Sequence, residues 1–306
     1  MEIRKLIVSE IENSIRLDKY IAQVCDDLSR SYVQQLIDDE NILVNGNKRK
    51  NKYKVINNDE IEIRIPEITE LVATAQDINL SIIYEDDDII VVDKPKGMVV
   101  HPGAGNPDHT LVNGLLFHCK DLSGINGVLR PGIVHRIDKD TTGCIVACKN
   151  DRSHNIISKQ LSNKTCSRVY IGIVHGVIEH ENGTIDAPIG RDEKDRQKMC
   201  VTEKNSRDAV THFKVLERYE KHTLVEFHLE TGRTHQIRVH MNYIKFPLVG
   251  DAKYSYKHTR NDTNGQVLHA RELSLIHPRT NKLVTFNAPL PKYFKDLILE
   301  YGGKYE

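Results

Sequence analysis

The sequence predicts an α+β protein with a small N-terminal domain and a larger, strand-rich second domain. Apolar residues recur at helical spacing between Arg16 and Ile37, and short apolar runs at 42–44 and 61–65 predict strands after those helices. Beyond residue 80, many apolar runs bounded by Pro or Gly predict further strands. A chain of 306 residues can bury two cores. We therefore predict domains at 1–75 and 80–306, with a linker reaching about residue 79.

The first domain is predicted to contain two helices followed by a small sheet. The apolar stripe of the first helix runs from Leu17 to Leu28. Ser29 or Ser31 can cap the second helix. Residues 1–15 have no clear periodicity and predict no element.

The second domain is predicted to alternate strands with a few helices. Two apolar runs, at 133–134 and 144–148, predict buried strands on either side of a polar loop. Residues 180–206 are rich in charge and glycine and predict loops. Helices are predicted after Thr110, after Asp151 or Ser153, from Thr231-Gly232 through Tyr243, and from Pro291 to Tyr301.

The composition excludes several classes of protein. The formal net charge is zero, and no apolar run is long enough to span a membrane. The N-terminus has no signal-peptide pattern, so we expect an intracellular, cytoplasmic protein. The six cysteines form no Cys-x-x-Cys pair, and Cys144 and Cys148 are interpreted as small buried hydrophobic residues. Without zinc, dinucleotide or phosphate-loop motifs, we expect neither metal nor cofactor.

Residues 48–54 carry five cations, Lys48, Arg49, Lys50, Lys52 and Lys54. Local clustering of this kind matters more for nucleic-acid binding than the net charge of the chain. Taken alone, the cluster is equally compatible with a solvated hairpin.

The most informative stretch is His-Arg-Ile-Asp-Lys-Asp-Thr-Thr-Gly at residues 135–143. Two carboxylates, two permanent cations and a histidine lie between two predicted core strands, where a charge must be paired. A surface turn with solvated ion pairs is the alternative. Because Arg136 and Lys139 flank Asp138, this carboxylate should stay ionised, as a nucleophile or an electrostatic group must.

This stretch resembles the catalytic motif of the RluA/RluD-type pseudouridine synthases, which usually have leucine in the place of Ile137. The resemblance implies that Asp138 is the catalytic aspartate and that Tyr170, in a predicted strand, is the active-site tyrosine. The segment 231–241 resembles a further motif of the family. It implies that Arg238 pairs with Asp138, although Arg233 remains an alternative. We expect this pair to be bidentate, with two hydrogen bonds between the guanidinium and the carboxylate.

The same resemblance implies a fold and a supporting set of residues. The family's catalytic domain is a mostly antiparallel, bifurcated sheet with the cleft across its middle. Residues 93–103 resemble the family's first motif, which implies that they support the active-site loop. Arg136 is a candidate to hold RNA after the target base has been flipped out of its helix.

About 50 residues from Arg16 onwards resemble the S-four RNA-binding domain. The resemblance rests on residues 16–21, 29–31 and 42–46. It implies that Arg30 and the basic cluster face RNA phosphates, which contribute affinity rather than sequence choice. The residues concerned in the cluster are Lys48, Arg49, Lys50 and Lys52.

The expected function is isomerisation of uridine to pseudouridine in large-subunit ribosomal RNA, in ribosomal precursor particles, by a monomer without a membrane partner. This reaction has no net redox change and needs no cofactor. A synthase acting on transfer RNA and a non-catalytic ribosome-assembly factor that binds RNA are alternatives. A hydrolase using Asp138 and Asp140 on nucleotides is a third.

Overall fold

The computed structural model describes residues 2–25, 28, 30–65, 73–103, 105–125, 130–256 and 263–304, without the side chains of residues 11, 31 and 35. The chain forms two compact units, Met1–Glu70 and Leu71–Glu306. The predicted boundary near residues 75–79 lies slightly further along the chain.

The first unit is an antiparallel four-stranded sheet with two helices, and its strand order is β1-β4-β2-β3. Its elements are β1 (Glu2–Ile7), α1 (Leu17–Val24), α2 (Arg30–Asp38), β2 (Ile42–Val44), β3 (Asn47–Lys48) and β4 (Glu60–Ile65). The apolar faces of the helices and of β2 and β4 form one core. This arrangement agrees with the predicted two helices and small sheet.

Two details of this unit differ from the sequence prediction, and one prediction falls outside the described residues. Helix α1 ends at Val24, and Cys25 leaves the helical conformation, so Leu28 reaches the core from outside the helix. Strand β1 was not predicted, because it pairs through its backbone with β4 while Ile3 and Ile7 stay exposed. Ser29 and the side chain of Ser31 lie outside the described residues.

The second unit is built on a nine-stranded sheet in the order β5-β6-β7-β15-β8-β14-β13-β9, with β16 paired to β15. Its strands are β5 (Ser81–Glu85), β6 (Ile89–Lys94), β7 (Thr142–Cys148), β8 (Ser167–His175), β9 (Asn182–Asp186), β13 (Val210–Arg218), β14 (His222–Leu229), β15 (Leu268–Ile276) and β16 (Leu283–Asn287). A separate three-stranded sheet contains β10 (Ile189–Arg191), β11 (Met199–Val201) and β12 (Ser206–Arg207). The helices are α3 (Leu111–His118), α4 (Asp151–Ser162), α5 (Gln236–Tyr243) and α6 (Lys292–Glu300).

The large sheet divides at β15. The start of β15 pairs in parallel with β7 at His269 and Ala270, whereas residues 272–276 pair antiparallel with β16. The other neighbouring strands of the sheet are antiparallel. The predicted mostly antiparallel, bifurcated sheet and the α+β class are therefore confirmed.

Strands β6 and β7 are buried on both faces, which explains their continuous apolar runs. Alternate residues of β7 enter two different cores, with Ile145 in one and Val146 in the other. Cys144 and Cys148 share the second core and are unpaired thiols, as interpreted from the sequence.

Several predicted elements of the second unit need correction. Residues 133–134 form a single bridge to β7 at Ile133, not a strand, because the loop crosses β7 at that point only. The predicted loops at 180–206 contain short strands, because backbone pairing there needs little apolar pattern. Helix α4 is capped by Asn150, whose side chain accepts a hydrogen bond from the Ser153 amide.

Part of the predicted linker packs on the second unit. Thr110 caps α3 as predicted, and Asn113 of this helix donates to the carbonyl of Thr74. The Gln76 amide donates to the carbonyl of Asn113, and Ala73 is buried. Within the described ranges, no helix combines the length and the apolar character needed to cross a membrane.

Candidate active site

Asp138 lies on the loop that leads into β7, and buried contacts fix this loop from both sides. Ile137 is buried in the main core, and the Thr141 amide donates to the carbonyl of Asp138 at 3.1 Å. Lys94, at the end of β6, has no exposed surface, and its ammonium group donates to the carbonyls of Pro95, Met98 and Lys139. Lys94 thus ties the 93–103 segment to the Asp138 loop, which is the supporting role implied by the motif resemblance.

Arg238 of α5 links two carboxylates. Its Nη1 donates to Asp138 Oδ2 at 2.8 Å, while Nε and Nη2 donate to the two oxygens of Asp251 at 2.7 and 3.0 Å. From the sequence, we expect two hydrogen bonds between Arg238 and Asp138. Instead, the fork of the guanidinium faces Asp251, which is wholly buried, and Asp138 receives one bond.

The surroundings keep Arg238 charged. Burial opposes its charge, but the hydrogen bonds of Asp251 and the attraction of Asp138 outweigh burial and raise its pKa. The guanidinium also lies 5.1 Å from the ring centre of Tyr254. The Tyr254 hydroxyl is 2.7 Å from Nδ1 of His235, whose pKa burial lowers to about 4. A neutral imidazole therefore borders the ion pair at physiological pH.

Tyr170 lies in the middle of β8, between β14 and β15, and its side chain is buried. Burial raises the pKa of its phenol to about 12, and nearby Asp138 adds to this effect while Arg168 opposes it. The phenol is therefore protonated at physiological pH. It can donate a proton or a hydrogen bond, and it can present a flat ring to a base.

The structure brings Asp138, Tyr170 and Arg238 to the walls of one cleft. The cleft is also lined by Arg136, Arg168 and residues 232–237, which connect β14 to α5. A carboxylate, a permanent cation and an aromatic ring thus meet where a planar ligand can enter.

Arg233 does not pair with Asp138. Helix α5 starts at Gln236, not at residue 233, and His235 precedes it with a positive φ of 57°. Arg233 therefore precedes the helix and does not share a helical face with His240. The Nε of Arg233 donates instead to the carbonyl of Asp208 at 2.8 Å.

In the first unit, a buried carboxylate holds Arg30, which is one of the residues predicted to contact RNA. Asp18 is fully buried and accepts hydrogen bonds from Arg16, Arg30 and Gln34. Burial opposes its charge, but these three donors lower its pKa to about 2. About half of the Arg30 side chain stays exposed.

The basic cluster is also at the surface of this unit. Lys48 pairs with Glu40, and Arg49 lies over the ring of Tyr53 at 5.1 Å. Arg49, Lys50 and Lys52 are exposed, as is Arg136 in the second unit.

Sequence reasoning missed Asp251, Tyr254, His235 and Arg168 as parts of the site. Asp251 follows the apolar run 246–249 and a glycine with a φ of +72°. A carboxylate directly after a core segment and a tight turn was the available signal. Its partner, Arg238, is 13 residues away, which no local pattern indicates.

The group of potential metal ligands that is most buried among the described residues is Asp86, Asp88 and His277. His277 hydrogen bonds to Asp86, while Arg279 and Ser153 donate to Asp88. These contacts satisfy the carboxylates with protein donors and place a permanent cation beside them. The group is therefore structural.

Two family models match the chain. The model for RNA pseudouridylate synthase matches residues 88–243, and the model for the S4 domain matches residues 15–61. The first match contains the Asp138 loop, Tyr170 and Arg238, and the second contains Asp18, Arg30 and the basic cluster.

Relatives and solved structures agree with these matches. The chain is 55% identical over 293 residues to an uncharacterized RNA pseudouridine synthase, YlyB, of Bacillus subtilis, which covers 96% of both chains. It is 43% identical over 291 residues to the ribosomal large subunit pseudouridine synthase D of Pseudomonas aeruginosa, covering 91% and 89%. The structure of human RNA pseudouridylate synthase domain containing 1 covers 71% of this chain and 86% of its own, with 25% identity and a TM-score of 0.59. The chain therefore belongs to the RNA pseudouridylate synthase family and is an RNA pseudouridine synthase that carries an N-terminal S4 RNA-binding domain.

Proposed function

We propose that this enzyme isomerises specific uridines of large-subunit ribosomal RNA to pseudouridine, with Asp138 as the catalytic carboxylate. The substrate class is supported by the 43% identical relative from Pseudomonas aeruginosa, which is named for the large ribosomal subunit. The main structural support for this site is the 2.8 Å hydrogen bond between Asp138 and the buried Arg238 in the wall of the cleft.

The reaction breaks the N-glycosidic bond of a uridine, turns the uracil and joins it again through carbon. Asp138 supplies the anion, either by attack on the sugar or by taking a proton from it to give a glycal-like intermediate. A proton leaves the new carbon–carbon junction and one is gained at the freed ring nitrogen, so the product is an isomer. Arg238 orients the carboxylate in both routes through its 2.8 Å hydrogen bond.

Tyr170 has two roles in this proposal. Its ring stacks on the uracil, which allows the base to turn in plane. Its phenol, protonated because burial raises its pKa to about 12, donates a hydrogen bond or a proton rather than acting as a base.

RNA capture is assigned to exposed cations of both units. In the first unit these are Arg30, Lys48, Arg49, Lys50 and Lys52. In the second unit, Arg136 lies at the entrance of the cleft and would occupy the gap left by the flipped nucleotide. We expect the enzyme to act as a monomer in the cytoplasm on ribosomal precursor particles.

Pseudouridine mapping of all cellular RNA tests the substrate and Asp138 together. Cells that lack this protein are complemented with the wild type or with Asp138→Asn, which keeps the shape of the side chain but removes its charge. We expect ribosomal sites that are lost on deletion and restored by the wild type only. Restoration by Asp138→Asn would reject the role of Asp138, and lost sites confined to transfer RNA would reject the ribosomal substrate.

Single-turnover kinetics test the role of Arg136. Replacement by Ala should weaken RNA binding more than it slows the chemical step on bound RNA. Lys221→Gln, which removes an exposed cation from the β13–β14 turn, is the control. A variant that binds RNA normally but reacts slowly would contradict the assignment.

A further inference from the structure

A basic groove adjoins the catalytic cleft. It has a volume of about 850 Å³ and shares Arg136, Arg168, Gly232 and Arg233 with the cleft. No carboxylate of the described residues lines it. The groove is lined by the arginines at positions 130, 136, 168, 207 and 233. Such a concentration of permanent cations without acidic partners is suited to a polyanion.

Arg168 is the buried member of this set. It lies in β8, two residues before Tyr170, and only 9% of its surface is exposed. Its Nε is buried and has no hydrogen-bond partner among the described residues. Burying a polar nitrogen without a hydrogen-bond partner is costly, and an anion bound at this place would supply the missing acceptor.

Gly232 allows this guanidinium to lie against the backbone. A Cβ at position 232 would be 2.5 Å from Nη1 of Arg168, closer than atoms can approach. The place of the guanidinium, between cleft and groove, therefore depends on a residue without a side chain.

Arg168 and Tyr170 project from the same face of β8, because strand residues two apart share a face. Both line the cleft that contains Asp138, whereas Arg168 also lines the groove. When a base lies against Tyr170, its own sugar–phosphate backbone must pass from the cleft towards the neighbouring nucleotides. The groove beside Arg168 offers that backbone a positively charged path out of the cleft.

We propose that Arg168 binds a backbone phosphate of the nucleotide whose base occupies the Asp138 cleft, and that the groove guides the adjoining RNA strand. This inference rests on the proposed function. The anion is an RNA phosphate diester, held through two guanidinium donors, and its capture fixes the sugar next to the carboxylate.

A double-mutant cycle tests the contact between Arg168 and the phosphate by removing the guanidinium, the charge of the phosphate, or both. The probe is a ribosomal RNA fragment around a uridine located by mapping, with the phosphate 5′ or 3′ of that uridine replaced by a neutral methylphosphonate. For the wild type, we expect one of these replacements to weaken binding about tenfold. Arg168→Gln should weaken binding of the unmodified fragment to a similar extent and lose its sensitivity to the methylphosphonate. Lys221→Gln should keep the wild-type sensitivity.

Two further variants separate phosphate binding from folding. Arg168→Lys keeps the charge but loses the two-donor geometry, and Gly232→Ala displaces the guanidinium without removing it. Both should show reduced sensitivity to the methylphosphonate while the circular dichroism spectrum stays that of the wild type. Additive effects of the Arg168 change and the methylphosphonate would overturn the proposal.

The same experiment separates this inference from the proposed function. Pseudouridine formation by the wild type on the unmodified fragment reports on the function alone. If that activity is present and the two changes are additive, the function stands and the Arg168 contact is rejected. If activity is absent while the coupling is present, the phosphate contact stands and the assigned substrate is rejected.

Discussion

Asp138 and Arg238 are anchored unequally. Arg238 makes two hydrogen bonds to the buried Asp251, whereas Asp138 has one bond to Arg238 and remains partly exposed. The cation is therefore a fixed part of the protein, and the less constrained carboxylate is the group that approaches the sugar in the proposed reaction. Preorganised charge of this kind needs no rearrangement when the transition state forms.

The Asp251→Asn variant tests whether Asp251 positions Arg238 for the reaction without contributing to RNA binding. The amide keeps one oxygen but loses the charge and one acceptor for Arg238, so the guanidinium turns towards Asp138 and is less firmly held. We expect the single-turnover rate on bound RNA to fall by roughly 10–100-fold, equivalent to about 1.4–2.7 kcal/mol, with RNA affinity within about twofold.

The matched control is Asp296→Asn, which breaks an exposed pair with Lys292. It should leave the rate unchanged. A normal rate for Asp251→Asn, or a loss explained entirely by unfolded protein, would contradict the positioning role.

Tyr170→Phe tests the state of the phenol. Because burial raises its pKa to about 12, the hydroxyl stays protonated from pH 6 to pH 9. We expect the variant to lower the single-turnover rate by about 100-fold at every pH in that range, with RNA affinity retained by the ring. A ratio of wild-type to variant rates that grows with pH would mean that ionised tyrosine acts as a base.

At the scale of elements, the start of β7 depends on the close approach of its backbone to that of β15. Gly143 has a φ of +107°, and a Cβ there would overlap the carbonyl of Ala270 in β15. The parallel pairing of β7 with β15, which ends the Asp138 loop, therefore requires glycine.

Gly143→Ala should destabilise the protein by about 2–5 kcal/mol, from backbone strain and overpacking together. Gly97→Ala is the control, because its φ is +81° but nothing lies within 4 Å of its Cβ position. Its cost should be about 1–2 kcal/mol. Urea unfolding followed by circular dichroism measures both, and equal losses would refute the role of the close approach.

Helices α1 and α2 are joined by Asp18, and this contact should depend on pH. Its pKa is about 2 in the folded protein, below the ordinary value of 3.8. The stabilisation is therefore complete above about pH 4 and is lost as the pH falls through 2. We expect Asp18→Asn to destabilise the first unit by about 1–3 kcal/mol at pH 7 and by much less near pH 2.

Hydrogen exchange of the α1 and α2 amides, compared with the wild type at each pH, measures this difference. Asp38→Asn, at the end of α2, is the control. A difference that stays constant down to pH 2 would show that Asp18 stabilises the unit by shape rather than by charge.

For the whole molecule, RNA binding is assigned to cations of both units, whereas the chemistry is assigned to the second unit alone. We expect replacement of Lys48, Arg49, Lys50 and Lys52 by Gln to weaken RNA binding and to reduce the salt slope of log Kd by about 2–4. The rate on saturating RNA should stay within about twofold, because the cleft is untouched. Four exposed lysines of the second unit, at positions 204, 221, 282 and 292, provide a matched control set. An unchanged salt slope would show that the basic cluster does not face phosphates.

Local patterns in the sequence determined many of the core elements and marked the polar loop as a candidate site. The buried strands β6 and β7, the cap of α3 and the polar loop carrying Asp138 all have signals within about ten residues. Motif resemblance added the family and the bifurcated sheet. The sequence did not predict the strands that depend on backbone pairing with little apolar pattern, which are β1 and β10–β12.

Only the tertiary structure decided the partners. Asp138 and Arg238 are 100 residues apart, and the choice of Arg238 over Arg233 depends on where α5 begins. The pairing of Arg238 with Asp251 follows from packing between strands and loops distant in sequence. The same packing buries Nε of Arg168 without a hydrogen-bond partner among the described residues. A sequence shows which charges are present, but their desolvation and geometry, which set their pKa values and chemistry, exist only in the folded chain.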